Sequence, residues 1–326
     1  MSFTMISAAL SVYWLQLRPT PASTSASSFD HIFFFLTGVT LFFTVLIFTT
    51  IFVFMIRYRR RSEQERPPET RQSMLLEVAW IVIPGAICVV LFFWGASVFF
   101  ANARAPQGAM QVFVVGKQWM WHLQHAEGQR EINELHVPVD VPVRLTMTSE
   151  DVIHDFAVPA FRMKMDVLPG RYTSEWFRAT EVGRYHLFCD QYCGMLHSGM
   201  IGTIVVMSPT DYAQWLRDNA APKSMAEMGQ ELFSRLACDT CHLPDGSGAG
   251  PALQGKFGKQ VVLSGGQTRV MDEAYLRQAI LDPGSLPLPN YRQVMPTFRG
   301  QVSEEQILQL IAYIKSLDSG ERTQAP

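Results

Sequence analysis

The sequence predicts a multidomain membrane protein with a two-helix transmembrane hairpin, then an antiparallel β-sandwich, then an all-α domain. Three observations in the 326-residue chain lead to this fold class. Two long apolar runs lie in the first third, short alternating runs follow, and the last third has helical periodicity. Apolar residues make up 48% of the chain, which is ordinary for a globular protein, but they are concentrated in the two runs.

The two apolar runs, residues 32–56 and 78–100, contain no charged residue. Each exceeds the roughly 20 residues that a helix needs to cross the bilayer, so transmembrane helices are predicted over about 31–56 and 75–100. The loop 57–74 holds six arginines, and the positive-inside rule places it in the cytoplasm. Both termini and all residues after 100 are therefore expected on the outer side of the membrane.

The N-terminal segment, residues 1–29, begins with a mildly apolar stretch and continues as a Pro/Ser/Thr linker. A cleaved signal peptide is one interpretation of residues 1–18, although the usual basic start is missing. The net charge of the chain is −2 and no basic stripe is present. These features exclude a nucleic-acid partner and leave the lipid bilayer as the expected one.

Residues 110–207 predict the β-sandwich. Runs such as "MQVFVVGKQWMWHLQH" and "MIGTIVVM" are rich in Val, Ile, Thr and aromatic residues and are separated by Gly and Pro. This pattern is typical of an antiparallel sandwich or barrel.

From residue 223 the pattern becomes helical. "MAEMGQELFSRLA" and "SEEQILQLIAYIKSL" place apolar residues on one face, and Ser303 is expected to cap the second of these helices. A third stretch, "DEAYLRQAILDP", ends before Pro283. The remainder is rich in Gly and Pro, so this domain needs something other than side chains to fill its core.

The motif "CDTCH" indicates what fills it. Cys238, Cys241 and His242 match the Cys-x-x-Cys-His signature of covalently attached c-type haem, in which two thioethers hold the haem and His242 faces the iron. A redox-active disulfide and half of a zinc site are the alternatives. The first lacks a surrounding βαβ pattern and the second lacks another Cys/His pair.

The sixth iron ligand is expected from a methionine, because no histidine follows residue 242 and methionine suits an electron-transfer haem. Met271 and Met295 are the candidates. Met295, in a loop ahead of the last helix, is favoured over Met271, which is predicted to start a helix.

The motifs "CDTCH", "GPAL" and "MPTF" and a terminal helix make residues 223–318 similar to class I cytochromes c. The resemblance implies that the first and last helices of this domain cross, with Gly229 and Phe233 meeting Tyr313. It also implies that the Pro251 carbonyl accepts a hydrogen bond from Nδ1 of His242, the second contact that a ligating histidine needs.

A second cluster lies in "FCDQYCGMLHSGM", a loop between two predicted strands. Its thiolates and thioether select copper, and His154 is the best placed upstream histidine. Two cysteines favour two bridged coppers over a mononuclear blue site. Zinc bound by both cysteines and two histidines, or a simple disulfide, are the alternatives, and Met200 disfavours zinc. The ligand candidates of the loop are Cys189, Cys193, His197 and Met200.

The motifs "EVAWIVIP", "GKQWMWHL", "SEDVIHDFAVPAFRMKMDVLPGR" and "CDQYCGMLHSGM", together with the hairpin, make residues 30–207 similar to subunit II of haem-copper cytochrome c oxidases. With the C-terminal domain, the chain resembles the caa-type form. The resemblance implies a cupredoxin-like sandwich in a bacterial inner membrane protein. It also implies that electrons pass from a donor cytochrome or an upstream respiratory complex, through haem c and copper, to subunit I, where oxygen is reduced and protons are translocated, with subunit III as a further partner.

The same resemblance implies individual roles for residues of this chain. Trp119 would be the aromatic residue through which electrons enter, and Glu77 would lie at the mouth of a proton pathway. The copper centre would be the dinuclear CuA: Cys189 and Cys193 bridge, one copper adds His197 and the backbone carbonyl of Gln191, and the other adds His154 and Met200.

Gln191 departs from the family pattern, which has a Glu that binds a magnesium ion shared with subunit I. The carbonyl ligand to copper survives this change, but magnesium becomes doubtful, although Lys164 and Asp166 match neighbouring family positions. The other exported histidines have no soft partners and are not expected to be ligands: His122, His125, His136 and His186.

The predicted domains are 1–29, the hairpin 30–104, the copper domain 105–215, the cytochrome domain 216–320 and a tail, 321–326. A free-standing membrane-tethered electron carrier is the alternative from another functional class. A related CuA reductase that acts on nitrogen oxides is also left open by the site alone.

Overall fold

The computed structural model describes residues 19–66 and 73–319. The predicted signal peptide (1–18), Arg71 of the cytoplasmic loop and the tail (321–326) lie outside the described residues.

Two long helices form a unit of their own over residues 25–104. Helix α1 spans Ala26–Arg57 and helix α2 spans Met74–Asn102, and both are long and apolar enough to cross a membrane. Helix α1 begins earlier than predicted because no helix breaker follows Pro21. Ser73 caps α2, since its hydroxyl accepts a hydrogen bond from the amide of Leu76 at 3.5 Å.

Ten strands form a cupredoxin-like sandwich of two five-stranded sheets. The first sheet has the order β3-β2-β1-β5-β8 and the second β4-β10-β9-β6-β7. Most pairs are antiparallel as predicted, whereas β1–β5 and β4–β10 run parallel. The strands are β1 Met110–Lys117, β2 Met120–His125, β3 Arg130–Ile132, β4 Glu134–Pro138, β5 Pro142–Ser149, β6 His154–Val158, β7 Met163–Val167, β8 Thr173–Arg178, β9 Gly183–Cys189 and β10 Ile201–Met207.

The core of the sandwich lies between the two sheets. Trp121 of the first sheet packs edge-on against Phe156 of the second, with ring centroids 5.2 Å apart, and both side chains are fully buried. The segment before α1 joins this domain: Ala22 is buried in the sandwich core and its amide donates to the Ala160 carbonyl at 2.9 Å. Part of the predicted linker therefore packs on the sandwich.

The C-terminal part is helical, as predicted. Helix α3 (Pro209–Asp218), which the sequence analysis missed, packs on the sandwich; α4 (Met225–Arg235), α5 (Glu273–Leu281) and α6 (Glu304–Ser319) follow. A short hairpin of β11 (Gln260–Val262) and β12 (Thr268–Val270) precedes α5. We call residues 225–319 the helical module. The sandwich and the helical module belong to one unit, so the predicted boundary between them at residues 215 and 216 stays a prediction.

Side-chain caps determine where helices α4 and α6 of the helical module begin, and a glycine allows these two helices to cross closely. Ser224 and Glu227 form a reciprocal capping box at the start of α4, and Ser303 accepts a hydrogen bond from the amide of Gln306, as predicted for a cap of α6. A Cβ at Gly229 would lie 2.0 Å from the carbonyl oxygen of Gln309 in α6. Only glycine therefore permits this helix crossing, which the resemblance to cytochromes c implied.

Candidate copper and haem sites

The copper-type site is built by the β9–β10 loop and the start of β6. Cys189 ends β9, Met200 directly precedes β10, and Cys193 and His197 lie between them. His154 begins β6, which pairs with β9, so the sheet brings the distant histidine to the loop. Within residues 19–66 and 73–319, the one buried His/Cys/Asp/Glu group with metal-ligand spacing is His154, Cys189 and Cys193, whose ligand atoms lie within 4.8 Å of one another.

All the predicted copper donors face one small volume. The two sulfurs are 3.7 Å apart, far beyond the roughly 2.05 Å of a disulfide bond. The donor set of two thiols, two imidazoles, a thioether and a carbonyl fits copper. The distances are Cys189 Sγ to His154 Nδ1 3.9 Å and to the Gln191 carbonyl 3.3 Å, and Cys193 Sγ to His197 Nδ1 3.5 Å and to Met200 Sδ 3.9 Å.

Two contacts fix the orientation of the His154 ring. Its Nε2 lies 2.8 Å from Oδ1 of Asp151. The other carboxylate oxygen of Asp151 accepts a hydrogen bond from the backbone N–H of Gln118 at 2.7 Å. Gly116, on β1 of the other sheet, leaves room for the ring, because a Cβ there would come within 3.0 Å of its Cδ2. The ring is therefore held with Nδ1 toward the cysteines, as second contacts to ligating histidines generally do.

The two thiols differ in acidity. Burial acts to raise the pKa of Cys189, but the contacts of this thiol with the His154 and His197 rings and with the backbone of Asp155 and Gln191 together outweigh burial and lower that pKa. Burial raises the pKa of Cys193, and the neighbouring Cys189 sulfur raises it further. Cys189 is thus the thiol that ionises first, and the thiolate is the form that binds metal.

Trp119 is half-buried beside the copper-type loop. Its indole Nε1 donates to the Cys193 carbonyl at 3.2 Å, and the side-chain amide Nε2 of Gln118 donates to the same carbonyl at 2.8 Å. Gly194, which follows Cys193, has φ +114°, a conformation that L side chains rarely adopt, and packs on these two residues. The indole is therefore joined by one hydrogen bond to the backbone of a candidate copper ligand.

The haem-type site is an apolar cavity of about 460 Å³ in the helical module. Cys238, Cys241 and His242 line it, and Nδ1 of His242 donates to the Pro251 carbonyl at 2.8 Å, as the resemblance implied. This bond leaves Nε2 as the free ligand atom. A cavity of this size and lining, with two cysteines and a histidine on its wall, fits a covalently attached haem.

Both candidate methionines line this cavity. Met271 is buried and precedes Asp272, the cap of α5, so it lies just outside the helix that it was predicted to start. Met295 is half-buried in the loop before α6. The preference for Met295 as the iron ligand stays a prediction.

The remaining predicted residues lie apart from these sites. Glu77 is in the first turn of α2, and its role in a proton pathway stays a prediction. The Gln191 side chain is exposed, and Lys164 pairs with Asp190 at 2.6 Å. Asp166 faces Asp155 across the β6–β7 ladder, and no metal-spaced carboxylate group is found here among the described residues.

Sequence analysis did not anticipate a cluster of two histidines around Glu131. Nε2 of His125 lies 2.8 Å and Nδ1 of His136 2.5 Å from the carboxylate, and the His136 ring stacks on Trp215 of α3. His125 is fully buried. No spacing in the sequence signals this cluster, because its members come from four elements of the fold.

This fold and these sites define a membrane-anchored electron-transfer protein that joins a cupredoxin-type domain to a cytochrome c domain. Three family descriptions match the chain: "Cytochrome C oxidase subunit II, transmembrane domain" at residues 11–97, "Cytochrome C oxidase subunit II, periplasmic domain" at 128–208 and "Cytochrome c" at 226–318. The chain belongs to the cytochrome c oxidase subunit II family, in the form with a fused cytochrome c domain.

Similar proteins carry the same description. Cytochrome c oxidase subunit 2 of Alkalihalophilus pseudofirmus is 29% identical, over 84% of this chain and 82% of its own length. Cytochrome c oxidase subunit 2 of Thermostichus vulcanus is 28% identical, over 63% of this chain and 79% of its own length. The periplasmic domain of subunit II from Bradyrhizobium japonicum is 30% identical, over 36% of this chain and 96% of that structure, with a TM-score of 0.34. The family matches imply copper and haem c binding, membrane anchoring and a subunit I partner in an oxidoreductase complex.

Proposed function

We propose that this chain relays single electrons from an external donor to subunit I of a terminal oxidase through haem c and a dinuclear CuA centre. The observation that carries this proposal is the convergence of two thiols, two imidazoles, a thioether and a carbonyl on one volume. Two bridged coppers share one electron, so the charge change on reduction is spread over both metals.

The division of the copper ligands follows the resemblance to the family, and the contacts support the set of six donors. Cys189 and Cys193 would bridge the two metals. His154 and Met200 would complete one copper, and His197 and the Gln191 carbonyl would complete the other. The Asp151 contact supports this assignment, because it holds Nδ1 of His154 toward the sulfurs.

The haem is held by residues of the cavity wall. Cys238 and Cys241 would form the thioethers, and His242 and Met295 would be the axial ligands. A methionine ligand would raise the haem potential, which suits an intermediate carrier between a donor and copper. Trp119 is the residue through which the electron would enter the copper centre, supported by its hydrogen bond to the Cys193 carbonyl.

The orientation follows from the arginine-rich loop between the two helices. The loop faces the cytoplasm, and the copper and haem domains lie on the outer side of a bacterial inner membrane. There the domains meet the donor, a cytochrome or an upstream respiratory complex. The hairpin and Glu77, at the mouth of a proton pathway, contact subunit I, and subunit III is a further neighbour in the complex.

Electron paramagnetic resonance of the purified complex tests the copper assignment. We expect a mixed-valence signal whose hyperfine splitting comes from two equivalent nuclei, and an optical spectrum of low-spin c-type haem. A four-line mononuclear copper signal, or stoichiometric zinc without copper, would overturn the assignment.

Gln191 provides a test of the magnesium prediction. The native complex is expected to bind no manganese, a spectroscopic substitute for magnesium, near the copper loop. Gln191→Glu is expected to gain such binding without changing the copper content, because the carbonyl ligand is unchanged. Manganese binding by the native complex at this loop would contradict the prediction.

A further inference from the structure

Strand β1 is buried on both faces. Its alternate side chains face the sandwich core, while Phe113 and Val115 point outward and are only 5% and 3% exposed. An antiparallel sandwich domain in water usually has a polar outer face. Here Phe113 and Val115 form a separate apolar cluster with Met225 of α4 and Leu308 of α6. The helical module therefore lies on the outer face of the first sheet.

Polar contacts surround this small apolar cluster. They join charged side chains of the helical module to the first sheet and to the β7–β8 loop. The contacts are His122 Nδ1 to Glu305 Oε1 at 3.0 Å, Arg144 Nη2 to Glu273 Oε1 at 3.9 Å, and Arg277 Nη1 donating to the Gly170 carbonyl at 2.6 Å.

The contact also contains buried polar atoms without a protein partner. Gln124 and Thr146 flank Phe113 on the adjacent strands and are 6% and 2% exposed. Among the described residues, no hydrogen-bond partner is found for Gln124 Nε2, Thr146 Oγ1, His122 Nε2 or Tyr172 Oη. Leaving such atoms without a hydrogen bond in a permanently dry interface would destabilise that interface. Such a contact needs water and resembles interfaces between domains that move relative to each other.

Neither functional site is covered by this contact. Every residue that lines the haem cavity comes from residues 233–314, so the sandwich contributes none of them. At the tip of the copper loop Tyr192, Met195 and Leu196 are 75%, 88% and 56% exposed. The helical module thus docks through the side of α4 and α6 that faces away from the haem cavity.

One end of the docked module is held in place. The amide of Met225 donates to the Ala126 carbonyl at 3.0 Å, next to the β2–β3 turn. A Cβ at Gly128 in that turn would lie 2.1 Å from the Lys223 carbonyl oxygen. The start of α4 is therefore pinned to the sandwich, while the rest of the interface depends on the cluster and its polar rim.

We propose that the outer face of the first sheet is a reversible, water-containing docking surface for the helical module of the same chain. The module opens about the pinned start of α4 and closes by re-forming the Phe113 cluster and the polar contacts of the rim. Opening breaks no metal or haem ligand contact. The closed state leaves the haem cavity accessible to a donor and the copper loop accessible to a second partner.

Hydroxyl-radical footprinting of the full chain in its oxidase complex tests this proposal. Phe113 of β1 and Leu308 of α6 report on the interface, and Met147, fully buried in the sandwich core, is the internal control. Raising the ionic strength to about 1 M shortens the Debye length to about 3 Å and weakens the rim. Oxidation of Phe113 and Leu308 is expected to rise about 2- to 5-fold, the range for loss of an exposed ion pair, while Met147 stays unchanged.

Two variants separate opening from general unfolding. Glu305→Gln removes the carboxylate that contacts His122 and is expected to raise Phe113 and Leu308 oxidation at low salt. The matched control, Glu134→Gln, removes an exposed pair with Arg184 on the edge strand of the second sheet and should change nothing. Thr146→Val replaces an unpartnered hydroxyl by a methyl group and is expected to lower Phe113 and Leu308 oxidation.

The proposal is wrong if Phe113 and Leu308 remain as protected as Met147 at high ionic strength and in Glu305→Gln, because the contact is then permanent. It is also wrong if Met147 becomes oxidised in parallel with them, because the sandwich itself is then unfolding. These readouts do not depend on the copper and haem assignments, so they can fail independently of the proposed function.

Discussion

Gly116 illustrates how one absent side chain shapes the copper-type site. Its backbone lies against the ring of His154, which the Asp151 carboxylate holds from the other side. Gly116→Ala places a methyl group about 3.0 Å from Cδ2 of that ring. Because this ring cannot move without losing the Asp151 contact, we expect copper affinity to fall about 10- to 100-fold, as for loss of other orienting contacts.

Copper titration followed by electron paramagnetic resonance measures this effect. Gly183→Ala is the matched control, since its new Cβ would meet only the hydroxyl end of the Tyr185 side chain at 3.3 Å. Unchanged copper affinity and an unchanged signal in Gly116→Ala would show that the His154 ring can shift freely.

The two methionines of the haem cavity can be distinguished directly. Met295→Ala is expected to remove the axial thioether, convert the haem to a high-spin form and lower its reduction potential. Met271→Leu is expected to keep the low-spin spectrum, because it replaces a buried apolar side chain by one of similar volume. Optical spectra and potentiometric titration of both variants decide between them, and the reverse outcome assigns Met271 as the ligand.

At the scale of secondary-structure elements, Glu131 joins strands that are separate in sequence. Its carboxylate, on β3, pairs with His125 of β2 and with His136 of β4, and these histidines contact Trp215 of α3. Burial acts to raise the pKa of Glu131, but the two histidine contacts outweigh it and lower that pKa. The carboxylate thus links the edges of both sheets to the helix that leads into the helical module.

The lowered pKa determines how this link responds to pH. A depressed carboxyl pKa contributes stability above the unfolded value of 4.5, and that stability is lost as the pH falls through the lower folded value. Glu131→Gln is expected to destabilise the sandwich by about 1–3 kcal/mol near neutral pH. The loss should begin to shrink below pH 4.5, where the unfolded chain binds the proton, and be smallest below the lower folded pKa, where the native carboxyl is also protonated.

Thermal unfolding of the sandwich across pH measures this response, at constant metal content. Glu134→Gln, a change at an exposed pair, should cost no more than about 1 kcal/mol. A Glu131→Gln penalty that stays constant from neutral to acid pH would contradict the proposed ionisation.

At the scale of the whole molecule, the helical module covers apolar surface of the sandwich. A chain truncated after residue 222 loses Met225 and Leu308, so Phe113 and Val115 become exposed. Such a fragment is expected to keep its copper ligands, which all lie within residues 154–200, but to bind hydrophobic dyes and to self-associate.

Dye fluorescence and analytical ultracentrifugation of the truncated chain check this expectation, with the copper content measured in parallel. Adding Phe113→Thr and Val115→Thr to the truncated chain should reduce both dye binding and association. A monomeric truncated chain without increased dye binding would show that the sandwich does not need the covering module.

Local patterns in the sequence determined the membrane hairpin, the haem attachment motif and the chemical types of the copper ligands. Each depends on residues within a short segment: charge-free runs, the spacing of "CDTCH", and two cysteines, a histidine and a methionine in one loop. The same locality explains why the Ser303 cap was predictable. The sequence favoured Met295 over Met271 from its position in a loop, and the structure does not decide between them, because both methionines line the same cavity.

Only the tertiary structure decided which distant residues meet. Pairing of β6 with β9 brings His154 to the cysteines, and packing of the two sheets on each other places Gly116 of β1 against its ring. The parallel strand pairs, the Glu131 cluster and the burial of Phe113 under the helical module also arise from chain segments far apart in sequence. A pattern within one segment carries no information about such contacts, because they depend on how sheets and helices pack together.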